Sequence, residues 1–129
     1  MEPAPELLWS PEHLHAELGK PGLAIIDTRP AELFAAGRIP GARHFDPYFV
    51  NCDDTDPKPL ASFTRMWANM LGWRGVKSSD TIVFYGAFTD MCAARCLWFL
   101  RSLFAVESWG LRRLSLPYAP KVSHFRCFG

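Results

Sequence analysis

The stretch that decides the fold class runs from Thr81 to Leu100 and reads TIVFYGAFTDMCAARCLWFL. Its first five residues, Thr81 to Tyr85, are apolar, aromatic or β-branched and follow Ser78-Ser79-Asp80, a pattern typical of a buried strand. A loop from Gly86 to Met91 comes next, and the apolar segment from Cys92 to about Phe104 predicts a helix. A strand, a loop and a helix in this order form the repeating unit of α/β domains with a parallel sheet.

A second apolar run, Leu23-Ala-Ile-Ile26, follows Pro21-Gly22 and is uninterrupted. An unbroken apolar run predicts a strand that is covered on both faces, as in a parallel sheet. Asp27 marks the carboxyl end of this strand. Because ligands of such sheets bind outside the carboxyl ends of the strands, we expect the functional residues in two segments, Asp27 to Arg29 and Gly86 to Arg95.

Helices are predicted between these strands. Ser10 and Pro11 are suited to start a short helix that Gly19 ends. The remaining predicted elements are a helix at Pro30–Ala36, a turn at Ile39–Ala42, a short strand at Arg43–Phe45, a polar loop at Asn51–Pro59 and a helix at Leu60–Gly72. Along that last helix, large apolar residues recur at intervals of three and four: Phe63, Met66, Trp67, Met70 and Leu71. This spacing favours a helix facing the core over a stack that binds a cofactor.

Size and charge exclude several classes of protein. The chain has 129 residues, 14 Lys and Arg against 13 Asp and Glu, and 49% apolar residues, so we expect a single globular domain. The balanced charge offers no basic surface for nucleic acid. The longest apolar stretch, Met91 to Phe104, is interrupted by Arg95 and Arg101 and is too short to span a membrane. The first six residues lack the features of a secretory signal, which predicts a cytoplasmic protein.

The four cysteines are expected to be reduced thiols in the reducing cytosol: Cys52, Cys92, Cys96 and Cys127. No pair has the CxxC spacing, and Cys92 with Cys96 lacks a second pair of ligands nearby, so we expect neither a metal site nor a cofactor. A loop between a buried strand and a buried helix directs backbone N–H groups and the helix dipole at one point, which favours an anion. A cysteine at the first position of such a loop would carry a stabilised thiolate. In this chain that position is Gly86.

Three segments together resemble the rhodanese family. Phe34-Ala-Ala-Gly-Arg38-Ile-Pro-Gly-Ala-Arg-His-Phe45 is similar to the family signature, with Arg38 where the family usually has His. Ile25-Ile-Asp-Thr-Arg29 resembles the family's strand that ends in Asp-x-Arg, and Thr81 to Leu100 resembles its active-site loop with the flanking strand and helix. The resemblance covers residues 8–104 and implies an α/β fold with a rhodanese-like parallel sheet flanked by helices.

Within the family, Phe88-Thr-Asp-Met-x-Ala-Ala-Arg95 followed by Trp98 most resembles the amino-terminal half of tandem sulfurtransferases that act on thiosulfate or 3-mercaptopyruvate. In those proteins the persulfide cysteine belongs to the second half. The resemblance therefore implies sulfur transfer, with this chain as the non-catalytic half and a catalytic rhodanese domain, in tandem or separate, as its partner. The alternative is a free-standing rhodanese-homology module that binds a protein or an anion without turnover. A phosphatase of the related cysteine-loop type is a third and less favoured alternative. It needs a cysteine followed by five residues and an arginine, whereas Cys92 leads to Trp98 and Cys96 leads to Ser102.

The candidate site residues have both functional and structural interpretations. Arg29, Asp90 and Arg95 are the candidates for contacting a small sulfur-donor anion, and Cys92 at the start of a helix is the alternative nucleophile. Structurally, Asp27 can cap the turn at 40–42 and Arg29 can pair with Asp27. Arg95 can pair with Asp90 or point towards a neighbouring domain. Cys92 and Cys96 are expected to be buried and inert.

The end of the chain departs from the family pattern. After Phe104 the family continues with a short strand and an Asp-Gly-Gly turn, whereas this chain has no Asp-Gly-Gly and carries only basic charged residues from Gly110 onward. We therefore expect a domain at residues 8–104 and a divergent tail at 105–129. The last strand of the sheet is expected to be lost, which would leave a sheet edge unpaired and make the chain prone to associate.

Overall fold

The computed structural model describes residues 8–48, 50–86, 91–103 and 113–115. Five strands form one sheet: β1 Leu8–Trp9, β2 Leu23–Asp27, β3 Arg43–His44, β4 Thr81–Tyr85 and β5 Arg113–Ser115. Their order in space is β1-β5-β4-β2-β3, and every pairing is parallel. The predicted α/β class with a parallel sheet is confirmed.

Among the described residues, four helices lie between the strands: α1 Pro11–Glu17, α2 Ala31–Ala36, α3 Pro57–Trp73 and α4 Cys92–Leu103. Ser10 caps α1 as predicted, since its side-chain oxygen accepts a hydrogen bond from the His13 amide at 3.1 Å. Helix α3 begins at Pro57, three residues before the predicted start, because proline is tolerated in the first turn of a helix. Within the described part of the chain, none of the helices has the length and apolarity that crossing a bilayer would require.

The expectation that the last strand is lost was wrong. Strand β5 lies between β1 and β4, where Leu114 pairs with Leu8 on one side and with Phe84 on the other. A strand of three residues is held in the ladder by backbone hydrogen bonds, which any non-proline sequence can make, so the missing Asp-Gly-Gly turn did not prevent pairing. β5 lies beyond the predicted domain boundary at residue 104; positions 105–112 and 116–129 of the predicted tail lie outside the described residues.

Each face of the sheet is covered by its own apolar cluster. Alternate residues of β4 point to opposite faces, so Ile82 and Phe84 join the larger cluster, which α3 and α4 cover, and Val83 and Tyr85 join the smaller one. The large apolar residues of α3 face the larger cluster as predicted, and Trp67 is fully buried. The members of the larger cluster on the helices are Trp67, Leu71, Ala93, Cys96, Leu97, Phe99 and Leu100.

Two tryptophans of α3 provide a matched test of this packing. Trp67 is fully buried against the rings of Phe45, Phe63 and Phe99, whereas Trp73 at the end of the same helix is 79% exposed. Trp67→Ala is expected to lower the free energy of unfolding by about 3–5 kcal/mol, because it leaves a cavity in the core. Trp73→Ala should change it by less than about 0.5 kcal/mol. Urea denaturation followed by circular dichroism measures both, and equal losses would contradict this assignment of the core.

Candidate functional site

The carboxyl ends of β2 and β4 lie side by side and bring the candidate residues together. In the parallel register, Asp27 pairs with Tyr85. The amide of Thr28 donates to the Tyr85 carbonyl at 2.9 Å, and the Thr28 hydroxyl donates to the same oxygen at 3.0 Å. The two strands are therefore joined just beyond their last ladder position, next to Gly86.

Asp27 is fully buried, and its carboxylate accepts several hydrogen bonds. Arg29 donates from its amide to Oδ1 at 2.9 Å and from its guanidinium Nη2 to Oδ2 at 2.8 Å. The Tyr85 hydroxyl donates to Oδ2 at 2.7 Å. A buried carboxylate is tolerated only when it is paired and hydrogen-bonded, and these donors meet that requirement. We call Asp27, Arg29 and Tyr85 the Asp27 network; the predicted pairing of Arg29 with Asp27 is confirmed.

The Asp27 network also holds the signature segment, although not as predicted. Arg29 Nη2 donates to the Gly37 carbonyl at 2.6 Å, and the Ile39 amide donates to the Tyr85 hydroxyl at 3.2 Å. The tyrosine hydroxyl thus lies between the carboxylate and the entry to the turn at 39–42. The prediction that Asp27 itself caps this turn was wrong, because Tyr85 occupies the space between them.

The turn explains why the signature contains Pro-Gly-Ala. The Ala42 amide donates to the Ile39 carbonyl at 2.9 Å, and Gly41 has a φ of 81°. A type II turn requires a positive φ at its third position, which glycine adopts without strain, and it favours proline at its second position. Arg38, where the family usually has histidine, places its guanidinium over the Phe34 ring at 4.3 Å and donates to the Phe34 carbonyl. The Arg38 side chain, which departs from the family pattern, therefore packs against α2.

The Asp27 network raises the pKa values of two of its members, Tyr85 and Arg29. Burial raises the pKa of Tyr85, and the hydrogen bond to Asp27 raises it further. The hydrogen bond to Asp27 likewise raises the pKa of Arg29. Tyr85 therefore remains a neutral donor and Arg29 a cation at physiological pH, so both keep their hydrogen bonds to the Asp27 carboxylate.

Gly86 follows β4 directly and is buried at the predicted position of the acceptor thiol. It has no side chain with which to carry sulfur. Asp90, one of the candidates for contacting an anion, falls outside the described residues.

Arg95 is held inside the domain. Its Nη2 atom donates to the Val50 carbonyl at 2.6 Å and to the Asn51 side chain at 2.5 Å, and its guanidinium lies over the Phe99 ring. The predicted pairing of Arg95 with Asp90 lies outside the described residues. The described contacts bind its guanidinium to the loop that precedes α3 and not to a neighbouring domain. Arg29 and Arg95 are thus both engaged in intramolecular contacts.

The described cysteines are all reduced and differ in burial. Cys96 is fully buried in the larger cluster, whereas Cys92 and Cys52 are half-buried. The expected burial thus holds for Cys96 and not for Cys92, since the first residue of a helix is covered on fewer sides. Cys127 lies outside the described residues. Among the residues that are described, no group of three or more His, Cys, Asp or Glu side chains could hold a metal ion.

Sequence reasoning missed Tyr85 and His44. His44 places Nε2 2.7 Å from the Arg29 carbonyl, so β3 is linked to the segment that follows β2. Tyr85 was interpreted only as a strand residue. A buried tyrosine needs a hydrogen-bond partner for its hydroxyl, and a carboxylate at the end of another buried strand can be that partner. The presence of Tyr85 and Asp27 at the ends of two buried strands is therefore the sequence feature that could have predicted their contact.

Removing the Tyr85 hydroxyl tests how much the Asp27 network contributes to stability. Tyr85→Phe keeps the ring but removes the donor to Asp27 and the acceptor for Ile39, so we expect a loss of about 1–3 kcal/mol in the free energy of unfolding. The raised pKa also predicts that wild-type stability falls above about pH 10, since the unfolded tyrosine ionises there while the folded one does not. Tyr85→Phe should lose that part of the alkaline slope. Urea unfolding from pH 7 to 11 measures both effects.

The control is Tyr48→Phe, because Tyr48 is 64% exposed. It should leave both the stability at pH 7 and the alkaline slope unchanged. If Tyr85→Phe behaves like this control, the Tyr85 hydroxyl does not stabilise the Asp27 network.

Thiol labelling tests the assignment of the cysteines. In the native protein, Cys92 is expected to react with a maleimide before Cys96, because only Cys96 is fully buried. In denaturant the two should react at similar rates. Peptide mass mapping at successive times measures the order, and prior labelling of Cys96 would contradict the described packing of α4.

Comparisons with known proteins agree with this architecture. The family model of the rhodanese-like domain matches residues 10–119. Among curated proteins, SseA of Mycobacterium leprae, named as a candidate thiosulfate sulfurtransferase, is 36% identical over 96 residues, which cover 73% of this chain and 31% of that protein. The thiosulfate sulfurtransferase of Corynebacterium glutamicum is 30% identical over 95 residues, with the same coverage. This chain thus spans about a third of the length of these relatives.

A solved structure shares the fold. The anaerobic ergothioneine biosynthesis enzyme of Chlorobium limicola, in complex with trimethyl histidine, superimposes with a TM-score of 0.56 at 20% identity, over 88% of this chain and 24% of that one. Because the family model covers most of the chain and the Asp27 network holds the family's signature turn in place, the chain belongs to the family of rhodanese-like domains and is related to thiosulfate sulfurtransferases.

Proposed function

We propose that this chain is the non-catalytic half of a sulfurtransferase, working beside a catalytic rhodanese domain that is linked in tandem or supplied separately. The observation that carries this proposal is Gly86, which is buried directly after β4 at the position where the acceptor thiol is expected.

The chemistry of sulfur transfer requires a thiolate at that position. A thiolate attacks the outer sulfur of thiosulfate, a new sulfur–sulfur bond forms, the bond within thiosulfate breaks, and sulfite leaves with the electron pair. A loop at a helix start stabilises the thiolate and the persulfide that follows it. Glycine offers no sulfur, so a loop that begins with Gly86 cannot take the first step.

The positions of the arginines support the same conclusion. Cationic side chains can strengthen the binding of an anionic donor, yet Arg29 binds Asp27 and the Gly37 carbonyl, and Arg95 binds Val50 and Asn51. Both arginines stabilise the fold around the loop. We therefore assign the Asp27 network and Arg95 to maintaining the shape of this edge of the sheet and not to binding the sulfur donor.

The lengths of the relatives are consistent with a second domain. About two thirds of the Mycobacterium and Corynebacterium proteins lie outside the part that this chain matches, and both carry the name of a thiosulfate sulfurtransferase. In our proposal the catalytic cysteine belongs to a domain of that kind. The use of 3-mercaptopyruvate as a donor and a cytoplasmic location stay predictions.

The chain by itself is expected to lack sulfurtransferase activity. With thiosulfate and cyanide, thiocyanate should form no faster than with a variant in which all four cysteines are replaced by alanine, because no thiol stands at the loop. Colorimetric detection of thiocyanate gives the rate. Intact mass spectrometry after incubation with thiosulfate should show no stable gain of one sulfur atom.

Single variants separate the alternatives. Turnover by the wild-type chain that Cys92→Ala abolishes and Cys52→Ala leaves intact would make Cys92 the nucleophile and refute the proposal. If the chain is inactive alone and raises the activity of a catalytic rhodanese domain added to it, the role of partner domain is supported. An inactive chain without that effect would favour the alternative, a module that binds without turnover.

A further inference from the structure

Two half-buried thiols lie outside the Asp27 network. Cys52 belongs to the loop that precedes α3, where it packs against the larger cluster, and Cys92 is the first residue of α4. The Cys52 thiol donates to the Asp54 carbonyl at 3.5 Å. A small reagent can reach a half-buried thiol in the folded protein, whereas the thiol of Cys96 is fully buried.

The starts of α3 and α4 lie at about the same level. Each helix leads from one strand of a parallel sheet to the next strand along the chain, so the two helices run in the same direction. The Phe63 ring, six residues after the start of α3, contacts the Phe99 ring, seven residues after the start of α4, with centroids 5.4 Å apart. At about 1.5 Å of rise per residue, the two starts differ in level by only about 2 Å. The loop that enters α3 therefore lies beside the first turn of α4.

Arg95 holds this loop against the first turn of α4. Its Nη2 atom donates to the loop at residues 50–51, and Cys52 is the next residue of the loop. At about 100° of rotation per residue, Cys92 lies about 60° from Arg95 and about 40° from the buried Cys96 around the helix axis. Cys92 is thus on the flank of α4 between the bound loop and the core, and Cys52 packs against the same part of the domain.

We propose that Cys52 and Cys92 form a redox-responsive pair, which a low-molecular-weight disulfide converts into an intramolecular disulfide. One of the two thiolates attacks a sulfur of the small disulfide, a mixed disulfide forms, and one small thiolate leaves. The other protein thiolate attacks the protein sulfur of the mixed disulfide, and the second small thiolate leaves with the electron pair. Two protein thiols are thereby oxidised, and one small disulfide is reduced to two thiols that take up the protons.

The disulfide would make the contact between the loop and α4 covalent. In the reduced chain this contact uses the hydrogen bonds of Arg95 and the packing of Cys52. A bond between residues 52 and 92 also closes a segment that contains α3 and β4, and closing such a segment restricts the unfolded chain. This inference does not depend on the proposed function, because neither thiol replaces the one that Gly86 lacks.

Oxidised glutathione is the reagent for the test. The native wild-type chain is incubated with it, exchange is stopped with acid, and the chain is digested with trypsin without reduction. Because trypsin cleaves after Arg95, Cys92 and Cys96 fall on different peptides, so peptide mass mapping identifies every pair. The peptides that link Cys52 to Cys92 are expected to be at least about tenfold more abundant than any other linked pair. In urea, where the folded arrangement is lost, that preference should disappear.

Serine variants are the matched controls. In Cys92→Ser and in Cys52→Ser the remaining member of the pair is expected to stop at the mixed disulfide and gain the mass of one glutathione, whereas Cys127→Ser should leave the linked pair intact. Thermal unfolding of the reduced variants checks that the fold is retained.

The linkage itself is measured on the wild-type chain, so its outcome does not depend on how a variant folds. Three results would each overturn the proposal. In the first, Cys52 and Cys92 of the native chain carry only glutathione. In the second, either of them pairs preferentially with Cys96 or Cys127. In the third, urea leaves the preference unchanged.

Discussion

Asp27 carries a negative charge at the end of a central strand, in a place that solvent does not reach. Taking such a charge out of water is unfavourable by several kcal/mol unless other groups replace the lost hydrogen bonds. Arg29 and Tyr85 provide them, and Arg29 and Tyr85 also bind Gly37 and Ile39. The requirement to satisfy one carboxylate thus sets the positions of β2, β4 and the signature turn relative to one another. The position of Gly86, directly after β4, follows from that arrangement.

The Asp27 network lies at the edge of the sheet where a ligand is expected to bind. The carboxyl edge of a parallel sheet is where α/β proteins bind their ligands, and here the same edge contains a network in which donors and acceptors already satisfy each other. Arg95 adds a second link, from α4 to the loop at 50–51. Cations that are committed to intramolecular contacts keep a loop in shape but offer little to an anion. In our proposal Gly86 stands at the thiol position, so the edge of the sheet keeps its geometry without the group that would perform the reaction.

The departure of the tail from the family pattern predicts an unpaired sheet edge, yet β5 fills the space between β1 and β4. A short strand needs only backbone hydrogen bonds to join a parallel ladder, so a tail that lacks the family's turn still supplies a strand. The edge that the sequence predicts to be open between these two strands is therefore closed in the structure.

By itself the sequence determined the α/β class, the buried strands β2 and β4, the core face of α3 and the absence of a sulfur-bearing side chain at Gly86. These features depend on local periodicity or on the chemistry of one residue, both of which can be read along the chain. Only the tertiary structure decided that Tyr85 binds Asp27, 58 positions away, that Arg95 binds Asn51, 44 positions away, and that residues 113–115 complete the sheet. Each of these contacts joins segments that are distant along the chain. Because the packing of the whole domain brings such segments together, the local sequence around one residue does not identify the residue that it contacts.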